Sequence, residues 1–314
     1  MAASLEEGET YRTPPGGDRA CRDSSSQIQI GQFGRRVTKH RLCGRLHHMD
    51  ERHYNPVDDV DFEWLEQVIR AAGEIALRHF RHVTPERKPD NTPVTVADRQ
   101  IEESLRDTLG QRFPEDGLVG EEMKTHSGRS GRVWVIDPID GTAAYAGGLP
   151  VWGISVGILQ DWQSVAGVFY MPLIDEYYLG DGQAALLNGE PIQVDTSGYV
   201  DSNSFLCVTA EAHRDYHIDF VGKTRAFGSM AAHICYVARG TAVAAVVGRV
   251  ALWDIAGALP LLRLAGGDMS CLSGHPLDLA SMTGVGKLPE PLLAGAPWAL
   301  SHFRERITDR RSLL

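Results

Sequence analysis

The chain has 314 residues, 43% hydrophobic and 23% charged, with a formal net charge of −10 at pH 7. That leaves room for one large or two medium domains around a sizeable core, and the acidic balance excludes tracking along a nucleic-acid backbone, which needs a basic face. No apolar run nears the roughly 18 residues of a membrane span and the start lacks a signal-like apolar segment, so a soluble cytoplasmic protein without a membrane partner is expected; the scattered Cys21, Cys43, Cys207, Cys235 and Cys271 lack CxxC spacing and point to idle thiols.

Residues 1–48 carry Thr13-Pro14-Pro15-Gly16-Gly17, a Ser24-Ser25-Ser26 run and a basic patch from Arg35 to Arg45, with no sustained apolar period. They are expected to form a disordered extension, with the folded chain beginning near a second methionine, Met49. Phe62, Leu65, Ile69, Ala72, Ala76 and Phe80 then recur at helical steps behind Asp61, a candidate N-cap. A polar loop from Lys88 to Pro93 leads into a second helix from about Ala97 to Gly110, with Ile101, Leu105 and Leu109 as its stripe and Asp98 in its first turn. Leu118-Val119-Gly120 follows, ending in the paired acids Glu121 and Glu122.

Arg132 to Ile136 is a β-branched and aromatic run that reads as a buried strand, ended at Asp137-Pro138 because proline has no N–H for a ladder. Asp137 and Asp140 lie three residues apart across the turn, with the carbonyl of Ile139 between them. Three hard oxygens at a strand end suit magnesium. Gly141 permits a tight path and Thr142 opens a short helix whose amides face a phosphate. Two solvated aspartates in an ordinary turn are the alternative.

Val151–Leu159, Val165–Tyr170 and Glu176–Leu179 alternate with turns, as in an antiparallel meander. After the loop at Gly182 to Gly189, strands at 205–209, 224–227 and 242–247 alternate with helices at 229–238 and 254–265. The division is therefore drawn as an α+β metal-binding domain over 49–182 and an α/β substrate-side domain over 183–314. Asp254, after Trp253, reads either as a cap of its helix or as a further acid of the site.

Together Gly120-Glu121-Glu122, Asp137-Pro138-Ile139-Asp140-Gly141-Thr142, Trp253-Asp254, Thr95-Val96-Ala97-Asp98 and Gly228-Ser229 resemble the inositol monophosphatase family of magnesium-dependent, lithium-sensitive phosphatases, whose relatives include histidinol phosphatases, bisphosphate nucleotidases and fructose bisphosphatases. The likeness covers nearly all of residues 55–275. It implies an αβαβα layered sandwich, often dimeric, binding two or three Mg2+ ions and a small phosphorylated substrate. It also implies that Glu121 is the first metal carboxylate, Asp137 a bridging ligand, Ile139 a carbonyl donor, and Asp140 and Asp254 ligands of a second ion. Thr142 with Asp98 matches the pair that orients and deprotonates the attacking water.

The substrate side departs from the inositol enzymes. Val247 stands where they carry a glutamate, and the bulkier Met230 replaces a small alanine. His213 falls in the region where they present a serine. With Lys88, which opens a Lys88-x-Asp90-x-Thr92-Pro93-Val94-Thr95 spacing similar to histidinol phosphatases and bisphosphate nucleotidases, and with Gly141 and Thr142, these make up the expected phosphate and substrate contacts. Trp253-Asp254 and Gly228-Ser229 are less like the histidinol enzymes. Met230 and Val247 also fit a core, and His213 with His217 a solvated pair. A catalytically silent phosphate- or metal-binding subunit on the same scaffold is the alternative to a phosphatase.

Overall fold

The structure is a computed structural model, described here for residues 56–248, 250–282 and 286–310. The extension expected over 1–48 lies outside them. The described residues belong to one compact unit.

Helix α1 (Phe62–His79) starts where Asp61 accepts the amide of Trp64 at 3.0 Å and buries Leu65, Ile69, Ala72 and Ala76. Each Leu or Ile so buried contributes about 1.5–3 kcal/mol. A small hairpin of β1 (Glu86–Arg87) and β2 (Pro93–Val94) leads to α2 (Val96–Arg112). Its start is a reciprocal capping box: Thr95 caps the helix while the Asp98 carboxylate accepts the Thr95 amide at 2.8 Å.

Next come β3 (Gly117–Gly120), β4 (Arg132–Asp140), α3 (Thr142–Ala146), β5 (Gly153–Gln160), β6 (Gln163–Met171), β7 (Glu176–Gly180), β8 (Ala185–Leu187) and β9 (Glu190–Pro191). These strands form a seven-stranded sheet in chain order, parallel between β3 and β4 and antiparallel thereafter. The expected meander is β5 to β7, and Asp161 and Trp162, both at positive φ, make its first turn.

The second half carries β10 (Phe205–Cys207), α4 (Ala212–Asp215), β11 (Tyr216–Ile218), β12 (Lys223–Arg225), α5 (Met230–Ala238), β13 (Ala244–Val247), α6 (Trp253–Ala256), α7 (Leu259–Leu264), β14 (Asp268–Cys271), β15 (Leu292–Gly295), α8 (Pro297–Arg304) and β16 (Ile307–Asp309). Its sheet has the order β12-β10-β13-β15-β14, while β11 pairs with β16. Three cores separate the layers. One packs α1 and α2 on the outer face of the seven-stranded sheet. Another sets α5, α6 and α7 between the two sheets. The third places α8 on the outer face of the five-stranded sheet. This is a layered αβαβα sandwich. Cys207, Cys235 and Cys271 are buried free thiols, and among the described residues no helix is long and apolar enough to cross a membrane.

Two expectations are corrected. Strand β4 does not stop at Asp137-Pro138; it continues to Asp140 through a shift in register against β5. Proline is tolerated there because β3 ends opposite Ile136 and the bulge takes residues 138 and 139 out of the ladder. The helix expected over 254–265 is broken into α6 and α7 around Gly257, where a Cβ would come within 2.3 Å of Ser155 Oγ and 2.7 Å of the Val168 carbonyl. The backbone stays helical through Gly257 and Ala258, and the ladder breaks because Pro260, in the first turn of α7, has no N–H to continue it.

Candidate active site

The parallel register of β3 and β4 sets Gly120 against Ile136, so Glu121, just past the end of β3, and Asp137, the next residue of β4, emerge side by side. The bulge then carries Ile139 and Asp140 over the same edge, and Gly141, at φ 96°, turns the chain into α3. Only a residue without a Cβ enters that turn cheaply, since one would also meet the Gly228 carbonyl at 3.0 Å and Ser229 Cβ at 3.3 Å. Gly141→Ala is therefore expected to destabilise the fold by about 1–2 kcal/mol, read as a lowered midpoint in urea unfolding. Asp254 arrives from the first turn of α6, brought down on β5 by the bare face of Gly157, whose Cβ would lie 2.5 Å from the Ala256 backbone.

Each acid is held by a different neighbour. Asp98 Oδ2 accepts the Thr95 amide and, at 2.6 Å, its hydroxyl; Oδ1 accepts the Thr142 hydroxyl at 3.1 Å. That hydroxyl also lies 3.0 Å from the Ile139 carbonyl. Asp140 faces the start of α5, taking the Ser229 hydroxyl, the Met230 amide at 3.1 Å and the Ala231 amide at 2.7 Å. Asp254 accepts the Ala251 amide at 2.7 Å, and Glu121 accepts from Lys88 Nζ at 2.6 Å.

The charges are crowded. Burial first, then the charges of Glu121, Asp140 and Asp254, raise the Asp137 carboxyl well above the carboxylate range. Burial and the charge of Asp140 push Asp254 up to about 7. Burial pushes Asp140 up to about 6 against its hydrogen bonds to Ser229, Ala231 and Met230. Asp98 is also raised by burial, with the Thr95 and Thr142 hydrogen bonds opposing it. Like charges in a low-dielectric pocket disfavour ionisation, and a hard cation among them removes the penalty.

Glu121, Asp137, Ile139, Asp140, Thr142 and Asp254 all line one cleft of about 510 Å³. Among the described residues its lining includes neither imidazole nor thiol, the donor chemistry of a magnesium site rather than a zinc or copper one. As the side chains stand, no three acids among the described residues converge on an ion position. Two of them are turned away: Asp140 toward α5 and Glu121 onto the Lys88 ammonium. The donor set fits a divalent cation in kind, once Lys88 yields Glu121.

The outer residues divide. Gly141 and Met230 line the cleft. Lys88 does not; it bridges Glu121 and, at 2.5 Å, Glu122. His213 opens on a neighbouring cavity and hydrogen-bonds the Ala210 carbonyl at 3.2 Å. Val247 is wholly buried, paired with Leu292, so it is core rather than a substrate contact.

The model of the inositol monophosphatase family matches residues 56–304. The chain belongs to the inositol monophosphatase family. A histidinol-phosphatase of Chlorobaculum parvum is 33% identical over 222 residues, 66% of this chain and 84% of that one. An inositol monophosphatase 1 of Solanum lycopersicum is 31% identical over 232 residues, 68% and 84%. The IMPase of Thermotoga maritima superposes with a TM-score of 0.68 at 24% identity, covering 78% of this chain and 95% of that one, which establishes the fold. This family member is a phosphoric monoester hydrolase.

In this inositol monophosphatase family member the cleft has further lining that sequence reasoning missed. Glu211 and Arg214 flank His213 in sequence but, unlike it, line the cleft. Lys287 joins them from a glycine-containing stretch with no periodic signal. Its positive charge opposes the rise of Asp254.

Proposed function

We propose that the chain is an Mg2+-dependent phosphomonoesterase that cleaves a small phosphate ester by direct attack of water, without a phosphoenzyme. The observation that carries this reading is the Asp98–Thr142 hydrogen bond at the wall of the cleft that Glu121, Asp137, Ile139, Asp140 and Asp254 also line. Unaided phosphate monoester hydrolysis is so slow that roughly 20 kcal/mol of barrier must be removed. Two or three magnesium ions, bound by Glu121, Asp137, Ile139, Asp140 and Asp254, would supply an acidified water and neutralise charge on the phosphoryl and leaving oxygens.

The protein groups supply the proton path and the orientation. While Thr142 donates its hydroxyl proton to Asp98, the same oxygen would accept a proton from the attacking water. A threonine hydroxyl is too weak a base alone; the Asp98 carboxylate is the stronger base, and burial raises its pKa further. Helix α3 has no side-chain cap, and its first-turn amides at Gly141 and Thr142 would receive phosphate oxygens.

Within this class an amino-alcohol phosphate such as histidinol phosphate is the favoured substrate. Glu211 lines the cleft, and its carboxylate would pair with a cationic leaving group. The test is phosphate release from inositol 1-phosphate, histidinol phosphate, adenosine 3′,5′-bisphosphate and fructose 1,6-bisphosphate, each with Mg2+ or EDTA. Magnesium-stimulated release that lithium inhibits is expected, fastest with histidinol phosphate. Tight phosphate binding with no release across the panel would instead support a silent regulatory protein.

A further inference from the structure

Glu102 lies one helical turn after Asp98 on the inner face of α2, and both are wholly buried. A buried carboxylate costs several kcal/mol unless donors meet it, and the helix itself does not call for one. An apolar residue at 102 would simply extend the stripe of Ile101, Leu105 and Leu109. Its partners lie on the segment that leaves β3. Glu102 Oε2 accepts the Glu122 amide at 2.7 Å, and Oε1 accepts the Met123 amide at 3.0 Å. Arg106, a further turn along α2, donates to Glu102 Oε1 at 3.3 Å and to the Lys124 carbonyl at 2.6 Å. Two residues of one helix therefore hold the backbone of 122–124 by both its N–H and its C=O groups.

Gly120 completes the clamp. A Cβ there would lie 2.1 Å from Glu102 Oε1, 2.5 Å from Cδ and 2.9 Å from Oε2. The glycine is required for room, since the carboxylate lies across the backbone just before Glu121. Glu121, which lines the cleft and gives its carboxylate to Lys88, is thus pinned in its backbone on both sides, by the β3 pairing of Gly120 with Ile136 and by the Glu102 bonds to the next two amides.

We propose that Glu102, supported by Arg106, is a positioning residue that fixes Glu121 at the divalent-cation site. One face of α2 then sets two parts of the site, the proton acceptor through Asp98 and the cation ligand through Glu102. The inference rests on the reading of the cleft as a cation site. An ionised carboxylate has only acceptors, so it can take both amides; a glutamine of the same shape must turn its NH2 toward one of them.

The test is calorimetric titration of the full chain with Mn2+ and Mg2+, beside hydrogen exchange at the Glu122 and Met123 amides in EDTA. Glu102→Gln is expected to weaken cation binding by about 10–100-fold, the range typical of residues that orient a ligand. It should also speed exchange at those two amides. Arg106→Met, which keeps the carboxylate, should shift both readouts the same way by less, and it serves if Glu102→Gln does not fold. A purely structural role would lower the melting temperature while leaving the cation dissociation constant of the folded protein unchanged, and that result overturns the proposal. A wild-type chain that binds neither cation overturns the metal reading and this proposal together; wild-type binding with unshifted variants overturns the positioning role alone.

Discussion

Asp137→Asn is expected to abolish magnesium-dependent turnover while making the metal-free protein more stable. Asp137 is the most crowded acid of the cleft, with Glu121, Asp140, Asp254 and Asp98 all raising its pKa on top of burial. Removing a shared donor should cost more than the about 10–100-fold that changes around a ligand produce. The same change removes a charge that its neighbours repel. For such acids the folded pKa lies above the unfolded one, so between the two values the native state binds more protons than the unfolded chain. Stability in EDTA should therefore be undiminished by these acids below about pH 4 and fall as pH rises, with the Asp254 share lost on approach to about 7, the value to which Asp254 is pushed, and the Asp137 share lost with it in the same direction. Melting curves of the wild type in EDTA should show this decline and its reversal by Mg2+ at pH 8. The asparagine variant should show a shallower decline and a higher melting temperature at pH 8, by ~2–4 °C for each kcal/mol relieved. A variant that turns over normally, or melts lower than wild type in EDTA at pH 8, contradicts the assignment.

Breaking the Asp98–Thr142 pair is expected to lower kcat by roughly 10²–10⁴-fold with little change in cation affinity, the range for loss of a positioned proton acceptor. Asp98 does two jobs at once: Oδ2 closes the α2 capping box and Oδ1 takes the Thr142 hydroxyl. Asp98→Asn should therefore also cost about 1 kcal/mol of stability through the weakened cap. Thr142→Val separates the effects, because Thr142 is not part of that box. It should lose kcat to a similar degree with the α2 start intact, whereas Thr142→Ser, which keeps the hydroxyl, should retain most of it. Steady-state kinetics at saturating Mg2+ with circular dichroism of each variant provide the check. Near-normal kcat in both Asp98→Asn and Thr142→Val would remove the pair from the mechanism.

Much of this site was legible in one dimension because its parts are local. The run from Asp137 to Thr142 is contiguous, the capping box spans only Thr95 to Asp98, and α1 and α2 announce themselves by apolar period. The outer wall was not legible in the same way. Val247 and His213 were drawn toward the cleft by resemblance, yet burial of β13 against β15 takes Val247 into the core, and α4 places Glu211 and Arg214, rather than His213, on the cleft. In a short element a shift of one residue redirects a side chain, and nothing in the local pattern fixes which residue faces inward.

Strand β15 shows the same limit: four residues, Leu292–Gly295, insert antiparallel between β13 and β14 with no alternation to mark them. The amino-acid order by itself determined the acid types, the turn that gathers Asp137, Ile139 and Asp140, and the helices that flank it, because propensity, capping and turn chemistry act between near neighbours. Only the tertiary structure decided that Glu121 stands beside Asp137, that Asp254 descends on β5, and that Glu102 lies beneath Gly120. Those meetings depend on strand register and on close backbone approach at Gly157 and Gly257. They join residues whose separation along the chain carries no energetic signal until the sheet has formed.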